Sequence, residues 1–150
     1  MTIEHSSWTV ERDYPHPPER VFAAWADASV KVRWFDLSAS ADPDYTNDFR
    51  VGGAETFRTP AGASPRFTYD AQYRDIVDNE RIVNTYEMTM DDERISVSLA
   101  TVELTATESG THLVFTEQGA YLDGLDSAQS RRTGTTAQLD NLTTVLKEQS

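Results

Sequence analysis

The sequence predicts an α+β fold in which a mostly antiparallel sheet of about seven strands packs on one long C-terminal helix. Three patterns carry this expectation. Leu125, Arg132, Leu139, Leu142 and Leu146 recur at spacings of seven, three and four, which puts them on one helical stripe. From Phe49 to Gln118 only strand signals occur, separated by turn dipeptides in hairpin order. The remaining helical pattern is short and lies early, at 17–35. A terminal helix must bury its stripe against one sheet face. A bent sheet gripping such a helix leaves a gap, and that gap is the obvious place for function.

Each element follows from its residues. Residues 7–14 (SWTVERDY) alternate, with Trp8, Val10, Arg12 and Tyr14 on one face, so a first strand is expected there. Pro17 and Pro18 open a helix, where a missing N–H costs nothing, and Val21, Phe22 and Trp25 form its apolar stripe. Ser29 is placed to cap a second short helix holding Val32, Trp34 and Phe35. Residues 36–47 (DLSASADPDYTN) read as a polar loop. Gly52-Gly53 suggests a tight turn between runs at 48–51 and 54–59. It lacks the lysine and following helix of a phosphate loop.

Pro60-Ala61-Gly62 turns again, and a strand at 66–77 carries Phe67, Tyr69, Ala71 and Tyr73 in phase. Asp78-Asn79 leads into a return strand at 81–90. Asp91-Asp92 leads into a strand at 94–106. There Ile95, Val97 and Leu99 hold one phase and Val102 and Leu104 the other, which predicts a bulge near Ala100. Ser109-Gly110 turns into a strand at 111–118 with Leu113 and Phe115 inward, and residues 119–126 read as a loop into the last helix at 125–147.

Composition bounds what the fold is for. A chain of 150 residues suits one domain, 1–150, with a single core. Its net charge of −12 opposes binding to nucleic acid or an anionic membrane, and fits solubility or a high-salt setting. Cysteine is absent, so no disulfide, thiolate nucleophile or cysteine metal site is expected. The N-terminus shows no apolar signal core and no apolar run spans a membrane, so a cytoplasmic protein is expected. His5, His16 and His112 are scattered, with no ligand spacing, so no metal or other cofactor is expected.

The order of elements, together with PPERVFAAWADASVKVRWF at 17–35, DFRVGG at 48–53, YRDIVDNERIVNTYEM at 73–88, SVSLATVEL at 96–104, GTHLVFTEQG at 110–119 and G-x-x-x-x-LDNL at 134–142, resembles the START/Bet v 1-like (SRPBCC) superfamily. Within it the chain is similar to the homologues of the activator of the heat-shock-protein-90 ATPase. The resemblance implies a helix-grip fold. It implies a carrier, a polyketide-cyclase-like enzyme or a chaperone partner, since fold alone does not decide among these. Many such relatives carry a tryptophan after the glycine of the last helix. Here Thr135 follows Gly134, which leaves more room under the sheet.

Candidate site residues follow. Trp25, Trp34, Phe57, Phe67, Tyr69, Tyr73, Tyr86 and Phe115 form an aromatic set that walls a cavity or simply fills a core. Tyr69, Tyr73 and Tyr86 are the sharper candidates, because a buried phenol needs a hydrogen-bond partner that a ligand can supply. Met88 would make an adaptable wall, and Thr135 and Leu139 would face it from the helix. Arg12, Glu55 and Glu117 sit on apolar strand phases, and Arg132 sits on the helix stripe. They mark a polar cavity end, or they are structural ion pairs.

Three functions stay open. The first is a non-enzymatic domain binding a small hydrophobic, aromatic molecule. The second is a protein-interaction domain that docks on a chaperone or other protein. The third is a cyclase- or hydratase-like enzyme using Glu55 or Glu117. A homodimer is compatible with any of them.

Overall fold

A computed structural model describes residues 2–148 and shows the expected α+β helix-grip architecture. In chain order the elements are β1 (Ile3–Tyr14), α1 (Pro18–Ala26), α2 (Ala28–Phe35), β2 (Asp44–Asn47), β3 (Ala54–Arg58), β4 (Phe67–Val77), β5 (Arg81–Met90), β6 (Glu93–Thr107), β7 (Gly110–Leu122) and α3 (Ala128–Glu148). The seven strands form one antiparallel sheet in the order β1-β7-β6-β5-β4-β3-β2. All but β1 follow as consecutive hairpins, so closing the sheet needs one long crossover, which α1 and α2 occupy. The sheet curves around α3, which packs on β1 and α2.

The second half of α3 carries the large apolar residues. Leu139, Leu142, Val145 and Leu146 are buried there, each worth about 1.5–3 kcal/mol of apolar burial. Tyr14 Oη donates to the Leu139 carbonyl at 2.9 Å, Arg20 to the Leu146 carbonyl at 2.9 Å, and Gln138 to the Phe35 carbonyl at 2.9 Å. The first half carries small residues instead. Ser127 Oγ accepts from the Ser130 amide at 3.1 Å, which caps the helix start. Gly134 and Thr135 then face the sheet with little bulk. A Cβ added at Gly134 would meet nothing within 4 Å. The helix is thus packed by large apolar residues in its second half, while small residues leave space beneath its first.

Several boundaries differ from expectation, for identifiable reasons. β1 begins at Ile3 and β7 runs to Leu122, because their ladder continues from Trp8↔Glu117 out to Ile3↔Leu122. The first half of the expected loop at 119–126 is therefore strand, and Leu125 precedes α3. Residues 48–51 are not a strand. They fold into the turn around Gly52 (φ +86°), while Asp44–Asn47 inside the expected loop forms β2 on the sheet edge. Asp27, not Ser29, caps α2, its carboxylate accepting from the Ser29 amide at 2.9 Å. The β6 bulge lies at Ile95 rather than near Ala100. Met88 pairs with Ser96 and Thr89 with Arg94, so Ile95 is the extra residue. That places Ser96, Ser98, Ala100, Val102 and Leu104 inward, and leaves Val97 45% exposed.

Two histidines flank the β1–β7 seam and titrate in opposite senses. His112 meets Asp13 at 2.8 Å and Glu11 at 3.0 Å, and those hydrogen bonds raise its pKa. Its stabilising contribution is full below about 6.5 and is lost as pH rises through the folded value. His16 is buried beside Arg20, and burial followed by that positive charge lowers its pKa. Its contribution is full above about 6.5 and is lost as pH falls through the folded value. An NMR titration is expected to give a midpoint for His112 above, and for His16 below, that of an unperturbed imidazole.

Candidate functional site

Under the first half of α3 lies a cavity of about 480 Å³. Tyr69 and Tyr73 of β4, Asn84, Tyr86 and Met88 of β5, and Phe115 of β7 face it from the sheet. Trp25 of α1 and Lys31, Trp34 and Phe35 of α2 close one side, and Arg131, Gly134, Thr135 and Leu139 of α3 form the roof. Leu37, Ser38, Phe67, Met90, Leu125 and Asp126 also line it. Leu37 there is 50% exposed, as the rim of an opening would be.

The walls are aromatic and mutually packed. Trp25 meets Trp34 edge to face at 4.6 Å, Phe35 meets Tyr69 at 5.0 Å and Phe57 at 6.1 Å, and Tyr69 lies 4.8 Å from Tyr86. Alternation along β4 and β5 puts Tyr69 and Tyr73, and Tyr86 and Met88, on the concave face, as their spacing of two requires. The structure places Trp25, Trp34, Phe57, Phe67, Tyr69, Tyr73, Tyr86, Met88, Phe115, Thr135 and Leu139 on the cavity lining.

The four polar candidates are placed elsewhere. Glu55 and Glu117 are wholly buried, but behind the wall rather than on it. Glu55 lies 2.5 Å from Lys31 Nζ and accepts from the hydroxyls of Tyr45 and, at 3.3 Å, Tyr69. Glu117 accepts from the hydroxyls of Tyr86, of Tyr121 at 2.6 Å and of Ser98 at 3.2 Å, with Arg131 at 3.7 Å. Arg12 lies at the surface, pairing with Asp140 at 3.2 Å. Arg132 is also exposed, donating to the Thr9 carbonyl at 3.2 Å. The expectation that these two face the cavity is corrected. Arg12 ends near the outer side of α3, and Arg132 sits one residue off the buried stripe.

The cations that do line the cavity are Lys31 and Arg131. A periodic signal for each exists in the sequence. Lys31 precedes Trp34 and Phe35 by three and four residues, so it shares their helix face. Arg131 precedes Thr135 by four and Leu142 by eleven, both close to whole turns and a better helical phase to that pair than the three and ten of Arg132. Arg131 donates to Tyr86 Oη at 2.9 Å, to Ser96 Oγ at 2.9 Å and to Asp126. Burial opposes its charge, but Tyr86, Glu117 and Asp126 outweigh burial and raise its pKa. At Lys31 burial prevails over Glu55 and lowers the pKa. Burial first, and then Glu55 for Tyr69, raises both wall phenols far above their ordinary range. For Tyr86, Arg131 opposes burial and Glu117 adds to it. Both phenols therefore stay protonated and act as donors.

This arrangement suits holding a flat apolar molecule. Between such a molecule and the buried carboxylates stand Lys31 and Tyr69, in front of Glu55, and Arg131 and Tyr86, in front of Glu117. Among the described residues no group of three histidine, cysteine, aspartate or glutamate side chains is placed to hold a metal ion. No helix among them is long and apolar enough to cross a membrane.

Comparison with known proteins gives consistent results. Residues 15–147 match the family model described as Activator of Hsp90 ATPase homolog 1-like protein. No curated protein matches the chain. The chain is similar to the Mll3558 protein of Rhizobium loti at 44% identity, covering 97% of this chain and 99% of that one, with a TM-score of 0.89. A putative uncharacterized protein of Rhizobium leguminosarum is 40% identical over 98% of this chain and 97% of that one, with a TM-score of 0.92. The Staphylococcus aureus protein SA2116 shares the fold alone, at 19% identity over 98% and 96% of the two chains and a TM-score of 0.77.

Proposed function

We propose, for a chain that belongs to the Activator of Hsp90 ATPase homolog 1-like family of the START/Bet v 1-like superfamily, that its cavity binds a small hydrophobic or aromatic molecule and performs no chemistry on it. One observation carries this reading. The space between sheet and α3 measures about 480 Å³ and is walled mainly by aromatic rings, within the size range of small-molecule sites. Trp25, Trp34, Tyr69, Tyr86 and Phe115 supply flat surface on which a ring can lie. Native mass spectrometry against lipids and polyphenols is expected to show a one-to-one adduct with at least one of them. The absence of any adduct, together with a crystal structure whose cavity admits no ring, would overturn the reading.

The family match favours a second reading, and weighs more for it than for any particular ligand. The family is described by homology to an activator of the Hsp90 ATPase, so the domain docks on such a chaperone through its outer surface. Its charge of −12 would direct it to a basic face. The measurement is the ATP hydrolysis rate of purified Hsp90 with and without this protein. A raised rate and a saturable complex support docking. An unchanged rate without co-migration on gel filtration removes it.

A further inference from the structure

We infer that the outer face of the sheet is where two copies of this chain meet, with β6 of one lying over β6 of the other. The inference is independent of the cavity and its ligand. On each strand the residues that alternate with the buried ones point away from α3. Ile82 and Asn84 of β5, Ser98 and Ala100 of β6, and Leu113 and Phe115 of β7 are buried. Their neighbours Val83, Leu99, Thr101, Val114 and Thr116 therefore face outward and are half-buried, and Val97 is 45% exposed. The register sets them side by side, Thr101 between Val83 and Thr116, and Leu99 between Thr85 and Gln118.

In a chain that is 25% charged, this face is a gap in the charge. Among the described residues, the outward positions at 83–85 of β5, 97–101 of β6, 114–120 of β7 and 7–9 of β1 carry none. The acidic excess sits elsewhere, on exposed turns such as those of Asp78, Asp91, Asp92 and Asp123. Charges bordering the face are paired with each other, Arg94 with Glu87 at 3.3 Å and Arg81 with Asp75 at 2.6 Å.

Charge and symmetry decide the occupant. Two chains of charge −12 repel wherever their acidic surfaces approach, so the uncharged face is where they meet with least opposition. A basic partner would be drawn to the acidic turns instead. The strand order also makes this face self-complementary. β4 and β1 each lie two strands from β6, on opposite sides of it. A two-fold axis along β6 therefore sets β4 of one copy over β1 of the other. Asp75 shares a row with Val83, Thr101, Thr116 and Thr9. The neighbouring Arg74, exposed and bonded to Thr85 Oγ1 at 3.0 Å, then comes toward Glu11 of the other copy. Four strands at ~4.8 Å and three rows at ~7 Å give an uncharged area of about 400 Å² on each copy. That is about half of what a stable complex uses per partner, so the dimer is a weak and reversible one.

Sedimentation velocity over a range of protein concentrations tests this. The wild type is expected to show a monomer–dimer equilibrium with a dissociation constant between about 10 μM and 1 mM. Raising salt from about 0.1 M to about 1 M shortens the screening length from about 10 Å to about 3 Å and should tighten the dimer at least tenfold, because the repulsion between the two chains is screened. Val97→Glu places two like charges opposite each other at the axis and should abolish the dimer without lowering the melting temperature, since Val97 is exposed. Ser7→Pro acts on the free edge of β1 and should leave the dimer intact. A wild type that stays monomeric at the highest concentration and salt, a dimer that weakens with salt, a dimer that survives Val97→Glu, or one that Ser7→Pro removes would each overturn the inference. A monomeric wild type that binds Hsp90 and loses that binding through Val97→Glu would assign the face to the chaperone and overturn it as well. The salt response of the wild type decides the matter even if a variant does not fold.

Discussion

Replacing Lys31 with methionine is expected to cost about 3–5 kcal/mol of stability, the range for breaking a buried ion pair from one side. Lys31 and Glu55 are 2% and 0% exposed and lie 2.5 Å apart. The ammonium also sits among the rings of Phe35, Trp25 and Trp34, at 4.8, 5.1 and 5.8 Å from their centres. Removing it leaves a buried carboxylate in an aromatic shell, held by the hydroxyls of Tyr45 and Tyr69. The loss therefore reflects the stranded charge more than any attraction that vanishes. Lys31→Met combined with Glu55→Gln should recover most of the stability. The amide oxygen still accepts a phenol, and no charge is buried. The exposed pair Arg50–Asp48, at 70% and 53% exposure, is the control. Arg50→Ala should change stability by no more than about 0.5 kcal/mol. Urea unfolding with a constant slope measures all three. A Lys31→Met protein as stable as the wild type would show that the pair is not closed off from water.

This pair also shows what the sequence made legible and what it did not. Turns were readable where a dipeptide demanded an unusual backbone. Asp91 and Asp92 both take positive φ, 50° and 69°, as a two-residue hairpin turn requires. The aromatic wall was readable because Tyr69, Tyr73, Tyr86 and Met88 keep a strict period of two. β2 was hidden because Asp44–Asn47 is polar on both sides. It is an edge strand, and Tyr45 belongs there for its bond to Glu55 rather than for burial of its strand. The Ile95 bulge was hidden for a related reason. Ser96 and Ser98 read as outward by hydrophobicity, yet they turn inward to bond Arg131 and Glu117. Polar side chains buried by their partners are invisible to a periodicity that counts only apolar ones. Lys31 and Arg131 do keep a helical phase with buried neighbours, but a charge on such a face reads as solvent-facing until its partners are known. Both depended on who stands opposite in space.

Thr135→Trp is expected to abolish ligand binding, lowering affinity by at least about 100-fold for any ring-sized guest, because the indole would occupy the guest's place. Thr135 is 6% exposed and faces the cavity from the first half of α3, beside Gly134, where no atom lies within 4 Å of an added Cβ. A large side chain forced into a filled core costs about 1–3 kcal/mol. Here about 480 Å³ is available, and burying an indole against Tyr86 and Phe115 contributes apolar contact instead. The variant should therefore melt at or above the wild-type temperature while losing every cavity ligand, as read by calorimetry and native mass spectrometry. This combination separates the two proposed functions. A ligand-dependent role disappears with the cavity, whereas docking through the outer surface survives it, since residue 135 changes no exposed atom that a partner would touch. A Thr135→Trp protein that is destabilised by several kcal/mol would mean that the space under α3 is already filled by side chains in solution. One that still binds a ring would place the ligand outside the cavity altogether.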